Sequence, residues 1–163
     1  MKKILLISDT HGYFDKKIIK YANKVDEIWH AGDIGDISVT DKLKQIKPLK
    51  GVYGNIDDQK IRAEFPLHNR FICEKVSVWI THIGGYPKRY NPKILEELKL
   101  NPPDLFICGH SHILKVINDK ELDLLHMNPG AIGKYGLHRV RTMIQFEING
   151  KKIENLSVIE FER

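Results

Sequence analysis

The chain reads as an α/β protein: two mixed β-sheets packed face to face, with helices on the outer faces. Three observations predict this. Short unbroken apolar runs, such as residues 4–7, end abruptly in polar residues, which is the signature of strands buried on both faces. The first third alternates strand-like and helix-like segments, as parallel βαβ units with right-handed crossovers do. The second half strings strand-like runs together, and the dipeptide Asn149-Gly150 between the last two is a strong hairpin signal. Layers of this kind enclose a shared core. The 163 residues are read as one domain, 1–163, large enough to bury it.

Each element follows from its pattern. Residues 3–8 form the first strand, closed by Ser8. Residues 16–23 carry Ile18, Ile19 and Ala22 at helical spacing. Residues 27–30 form a short second strand, leading into HAGDIGD. Residues 39–46 read as a helix stopped by Pro48, and residues 49–53 as a third strand leading into GNID. Residues 69–74 and 76–82 lie close enough to pair antiparallel. Residues 92–100 present Ile94, Leu95 and Leu98 on one helical face, and Pro102 and Pro103 end that helix. Residues 104–108 make another buried strand, leading into GHSH. Residues 114–117, 123–127, 140–148 and 152–159 read as further strands. No linker, repeat or low-complexity tract interrupts them.

Composition narrows the function classes. Hydrophobic residues make up 42% and charged residues 29%, as in an ordinary globular protein. No apolar run approaches the roughly 20 residues that cross a bilayer, so no membrane partner is expected. Ser8 and Asp9 end the first apolar run too early for a secretory signal, so a cytoplasmic location is expected. Cys73 and Cys108 are far apart and in apolar contexts, as buried reduced thiols rather than a disulfide framework. The net charge of +5 favours anionic partners. The lysines are scattered, however, which argues against a nucleic-acid surface. A homo-oligomer is compatible with this composition.

The polar residues just beyond the apolar runs are Asp9, His11, Asp33, Asn55, His82, His110 and His112. In open α/β sheets, ligands bind beyond the carboxyl ends of the strands. Residues two apart on an extended segment point the same way, about 6–7 Å apart, so Asp9 and His11 are expected to face one ion together. Gly12, Gly32, Gly54 and Gly109 adjoin these residues, and Gly84 lies two beyond His82; glycine permits turns that aim a side chain inward.

In order, the motifs are Asp9-Thr10-His11, Gly32-Asp33-Ile34-Gly35-Asp36, Gly54-Asn55-Ile56-Asp57, Thr81-His82 and Gly109-His110-Ser111-His112, followed by Asn128-Pro129-Gly130. Five such motifs in this order resemble the calcineurin-like metallophosphoesterase superfamily, and its short YfcE-like phosphodiesterases in particular. The resemblance runs to about residue 130. It implies a four-layer αββα sandwich, and it implies two divalent transition-metal ions. One would sit on Asp9, His11, Asp33 and His112, the other on Asp33, Asn55, His82 and His110, with Asp33 bridging. A carboxylate has two oxygens and can hold two cations. Imidazole and carboxylate ligands without thiolate suit Mn, Fe, Ni or Zn, with Mn expected to support activity. Two ions about 3.5–4 Å apart would bind phosphate oxygens and activate a bridging water as hydroxide. The substrate implied is a small phosphoester, a diester in preference to a monoester. Asp33, Asn55, Asp57 and His82 are the residues expected to carry catalysis, Asp57 together with Asp36 by fixing ligand orientation. Asn55, His82 and His138 are expected near the substrate.

The chain departs from the superfamily at Ile56, where many members have a His that helps protonate the leaving group. The YfcE-like subgroup lacks that His as well. An aliphatic side chain transfers no proton, which disfavours poor leaving groups. A protein-interaction scaffold of the same fold, found in the eukaryotic retromer coat, is the alternative; its metal site is degraded, whereas all seven positions are intact here. A nuclease would need a basic extended groove. His30, His68 and His126 are read as structural, with His30 close enough to Asp33 in sequence to line the cleft. Trp29 and Trp79 are read as core. Asn128 and Gly130 are read as shaping a turn near the site, and residues 134–141 as a loop that could bring cations to phosphate.

Overall fold

A computed structural model describes residues 1–163. The first sheet starts with β1 (Lys2–Ile7), continues after the short helix α1 (Ile18–Ala22) with β2 (Glu27–His30), and after α2 (Ile37–Lys44) with β3 (Leu49–Gly51). These three strands are parallel. Helix α3 (Gln59–Glu64) follows and leads into the second sheet. That sheet opens with the antiparallel pair β4 (His68–Cys73) and β5 (Val76–Thr81). A small ribbon of β6 (Gly85–Tyr86) and β7 (Arg89–Tyr90) precedes α4 (Pro92–Leu100). Then come β8 (Leu105–Ile107), β9 (Leu114–Asp119) and β10 (Leu124–Pro129). The long hairpin of β11 (Val140–Asn149) and β12 (Lys152–Glu162) returns to the first sheet, where β11 pairs antiparallel with β1.

The two sheets therefore run β12-β11-β1-β2-β3 and β4-β5-β8-β10-β9, and each mixes parallel with antiparallel pairs. Alternation along β1 sets the layers. Ile4 and Leu6 pack with Trp29 against Val78, Ile80, Leu105 and Ile107 of the other sheet. Leu5 and Ile7 point the other way, onto Ile18, Ala22, Val39, Leu43 and Ile61 of the first three helices. On the far face of the second sheet, Trp79 and Phe106 pack on Ile94 and Leu98 of α4. The order is helices, sheet, sheet, helix, as expected, with both tryptophans in the core. Cys73 and Cys108 are buried free thiols. No helix is long and apolar enough to cross a membrane.

Four elements differ from expectation. Helix α3 buries only Ile61 and is fixed by its cap, Asp58, which accepts from the Ile61 N–H; one apolar residue gives no periodicity to read. Strands β6 and β7 have two residues each, too few for alternation to show. Helix α1 is also shorter than expected, with five residues. The loops after β1, β2, β3, β5 and β8 converge on one rim of the sandwich.

Candidate metal centre

After β1, the Asp9 carboxylate is split by its partners. Ser8 Oγ donates to Asp9 Oδ2 at 2.6 Å and the His110 N–H donates to the same oxygen at 3.2 Å. Only Oδ1 turns inward, and it is buried without a hydrogen-bond partner. After β2, Asp33 is split in the same manner. Its Oδ1 accepts from the Ile56 N–H at 3.2 Å, and its Oδ2 stands 3.4 Å from His11 Nε2 and 3.2 Å from His82 Nε2. A single Asp33 oxygen thus faces both halves of the site, where one oxygen per cation was expected.

The imidazoles are aimed by their other ring nitrogens. His82 Nδ1 donates to the Ala31 carbonyl at 2.7 Å, which leaves a lone pair on Nε2. His138 Nε2 donates to the Gly133 carbonyl at 2.8 Å, so neutral His138 accepts on Nδ1. His112 Nδ1, 3.3 Å away, must then donate to it, and His112 Nε2 presents a lone pair 3.2 Å from Asp9 Oδ1. His110 Nδ1 lies 3.1 Å from Asn55 Oδ1.

Two sets result, Asp9 with His11 and His112, and Asp33 with His82 and His110, the ligand atoms of each set lying within 4.8 Å of one another. The donor chemistry fits a cation in each. Asp9 Oδ1, His11 Nε2 and His82 Nε2 are buried polar atoms with no partner in the protein, a costly arrangement unless something positive pairs with them. Charge tells the same story. Burial pushes the Asp9 carboxyl up, but the nearby imidazoles of His11 and His112, the charge of His82 and the Ser8 hydroxyl hold it well below the usual carboxylate range. Burial likewise opposes charge on Asp33, and the His82 contact outweighs it. Burial disfavours a proton on His82, yet Asp33 and Asp9 lift its pKa. A pocket that attracts a proton onto that nitrogen attracts a metal cation to the same place.

The backbone is bent to achieve this. Asp9, His11, Asp33, His110 and His112 all have positive φ, between 45° and 72°, a region that costs ordinary residues about 1–3 kcal/mol each and clusters at functional sites. Asp9 and His11 therefore meet through a left-handed turn and not along an extended strand, with His11 Nε2 3.7 Å from Asp9 Oδ1. Gly54 and Gly109 allow the loops to close in. A Cβ at Gly54 would fall on the Asp33 carboxylate, and one at Gly109 on the Ser8 hydroxyl beside Asp9.

Around the ligands sits a hydrogen-bonded frame. Asp57 is buried, and its Oδ1 accepts from the Gly35 N–H at 2.8 Å while its Oδ2 accepts from Ile34 at 3.1 Å and Gly54 at 2.8 Å. It ties the Asp33 loop to the Asn55 loop. Asp36, expected beside it, caps α2 through the Ser38 N–H at 2.8 Å. His30 does not line the cleft. It is buried, accepts from the Gly32 N–H at 3.1 Å and donates to Thr10 Oγ1 at 3.0 Å, which donates to the Ile34 carbonyl. Asn128 holds the Gly109 carbonyl at 3.0 Å and Ser111 Oγ at 3.1 Å, shaping the turn as expected. Residues 134–141 are not all loop: Arg141 lies on β11, buried on Asp15 at 2.9 Å, and is not available to phosphate.

Of the expected site residues, Asp9, His11, Asp33, Asn55, His82, His110 and His112 come together, Asp57 lies just outside them, and His138 reaches the site through His112. Sequence reasoning missed Tyr135, whose ring stacks 4.8 Å from that of His11. Its neighbours in sequence carry no signal for this.

A family model described as the calcineurin-like phosphoesterase superfamily domain matches residues 1–151. A probable metallophosphoesterase of Methanocaldococcus jannaschii is 31% identical over 134 residues, covering 77% of this chain and 66% of that protein, so the chain spans just under two thirds of its length. A probable metallophosphoesterase of Mycoplasma pneumoniae is 30% identical over 149 residues, covering 83% of this chain and 87% of its own. Among solved structures, Vps29 of Chaetomium thermophilum is similar in fold, with a TM-score of 0.78 over 99% of this chain and 97% of that one, at 19% identity.

Proposed function

The chain belongs to the calcineurin-like phosphoesterase superfamily, and from that premise we propose that it is a dinuclear-metal phosphodiesterase acting on small phosphoesters. The observation that carries this is the pair of adjoining ligand sets, with Asp33 Oδ2 reaching both and three orphaned buried atoms pointing into them. Asp9, His11 and His112 with Asp33 would hold one divalent ion, and Asp33, Asn55, His82 and His110 the other. When bound, such a pair supplies positive charge for phosphoryl oxygens and lowers the pKa of a water between them, so no covalent phospho-enzyme is needed. The donor set suits Mn, Fe, Ni or Zn, and Mn is the ion proposed to support activity.

The protein's own part is to orient and to admit. Asn55 and His82 line a cleft of about 330 Å³ together with Leu67, Ile83 and Ile94, and His110 lines a second of about 310 Å³. Room on both sides of one ligand set supports a diester, which has two arms to place. Ile56 is 47% exposed at the rim and offers no proton to a leaving group; His138 is engaged at both ring nitrogens and offers none either. The preferred substrates are therefore diesters with good leaving groups. The two buried unpaired thiols support a reducing, cytoplasmic setting.

Purified protein is expected to hydrolyse bis-p-nitrophenyl phosphate with added Mn²⁺, to lose this on chelation, and to lose activity and metal content together as Asp33→Asn. Retained activity in that variant would exclude Asp33 as the shared ligand. The alternative, a non-catalytic scaffold, has the likeness to Vps29 in its favour, a fold also solved with a bound cyclic peptide. The intact ligand set weighs against it, and turnover with none of Mn, Ni, Co, Fe or Zn would favour it.

A further inference from the structure

The cleft on the His110 side has a chemistry of its own. It is walled by the β6–β7 ribbon and is about 310 Å³ in volume, with Arg89, Lys115, His110, Asn91 and His126 among its lining residues. No carboxylate lines it. Neither Arg89 nor Lys115 appears in any ion pair of the protein, and Lys115 Nζ rests 3.8 Å above the Tyr86 ring. The cleft's lining is thus cationic, beside the centre proposed to handle phosphate; the neighbouring carboxylate, Asp119, lies behind Tyr90 and accepts from its hydroxyl.

His126 sits in the same cleft. It lies on β10, is 0% exposed, and neither of its ring nitrogens has a hydrogen-bond partner. Its packing neighbours are the rings of Phe106 at 6.0 Å and Tyr90 at 6.4 Å, which satisfy neither nitrogen. Burial, reinforced by Lys115, pushes its pKa down to about 4, so at neutral pH the ring offers one N–H donor and one lone pair. Both nitrogens are closed to solvent, so the ring is a neutral wall of the cleft and leaves its charge to Lys115 and Arg89.

We propose that this cleft binds the non-reacting arm of the substrate, an arm that carries a second anionic group. The anion, a phosphate or a carboxylate, sits between Lys115 and Arg89, which line the cleft together. The inference rests on the phosphoesterase reading above, because the reacting phosphate is placed at the neighbouring ligand sets.

The test uses inhibition of bis-p-nitrophenyl phosphate hydrolysis by the Mn²⁺-loaded protein, with calorimetric titration of loaded and chelator-treated protein alongside. Glycerol 1-phosphate lacks the second anion; 3-phosphoglycerate supplies a carboxylate, and glycerol 1,3-bisphosphate a phosphate. At least one of the latter two is expected to bind about tenfold or more tighter than glycerol 1-phosphate, and the tighter of them identifies the anion. Lys115→Met and Arg89→Met are expected to remove most of that ratio. Equal affinities across the ligands, or ratios that survive Lys115→Met and Arg89→Met, would overturn the proposal even in an active enzyme. No hydrolysis with any metal, but the calorimetric preference intact, would support the cleft while removing the phosphoesterase reading.

Discussion

Asp57→Asn separates a positioning residue from a passive one. The carboxylate accepts three backbone N–H groups: Gly35 at 2.8 Å on Oδ1, and Ile34 at 3.1 Å and Gly54 at 2.8 Å on Oδ2. An amide has one acceptor oxygen. Kept on the Oδ2 side, it preserves two bonds without their charge and turns an NH₂ against the Gly35 N–H. A hydrogen bond to a charged group contributes about 1.5–3 kcal/mol, so one lost and two weakened should cost about 2–4 kcal/mol. In a domain of this size about 1 kcal/mol moves the melting temperature by about 2–4 °C, so metal-free protein should melt roughly 5–12 °C lower. The three amides belong to the loops that carry Asp33 and Asn55. Residues that orient metal ligands are typically worth about 10–100-fold in affinity, and calorimetry should find the Asp33, His82 and His110 set weakened by that much. The Asp9, His11 and His112 set should change less. A melting temperature within about 2 °C of wild type, with Mn²⁺ affinity within about threefold, would refute the reasoning that Asp57 ties the two loops.

Three further outcomes are expected. His138→Ala should lower affinity at the His112 set by about tenfold or more, read by titration with Mn²⁺, and His138→Gln, which can still accept from His112, should restore part of it; an unchanged isotherm would mean that His112 needs no support. His30 and His126 are held by burial at about 4 against an ordinary 6.5, so the unfolded chain takes up those protons first. The stability of the neutral rings is therefore present above pH 6.5 and is lost as pH falls toward 4, by up to about 3 kcal/mol per ring at 1.36 kcal/mol per tenfold; a urea midpoint that does not fall between pH 7 and 4.5 would contradict this. Ile56→His should raise turnover of diesters with poorer leaving groups more than that of bis-p-nitrophenyl phosphate, and equal effects on both would show that protonation does not limit the reaction.

The strands were legible because β1, β2 and β8 are buried on both faces and so write unbroken apolar runs. The side chains that gather at the candidate metal centre were legible because each follows such a run. What stayed hidden depends on contacts through space. Nothing near His138 signals that its Nδ1 meets His112, and nothing near Tyr135 signals its stacking on His11. The left-handed φ of Asp9 and His11 was equally invisible, because the same pair could face one point along an extended strand. Helix α3 escaped because a side-chain cap fixes it more than an apolar face does.

The candidate ligands divide between the two halves of the sandwich. Asp9, His11, Asp33 and Asn55 follow strands of the first sheet, and His82, His110 and His112 follow strands of the second. Cations held by both would rivet the sheets along one seam, where His82 to Ala31, the His110 N–H to Asp9 and His110 to Asn55 are among the direct ties. Stripping the ions should let that seam gape while the apolar middle stays shut. Resistance to proteolysis at this rim, and with it the lifetime of the protein in a cell, would then track the supply of metal.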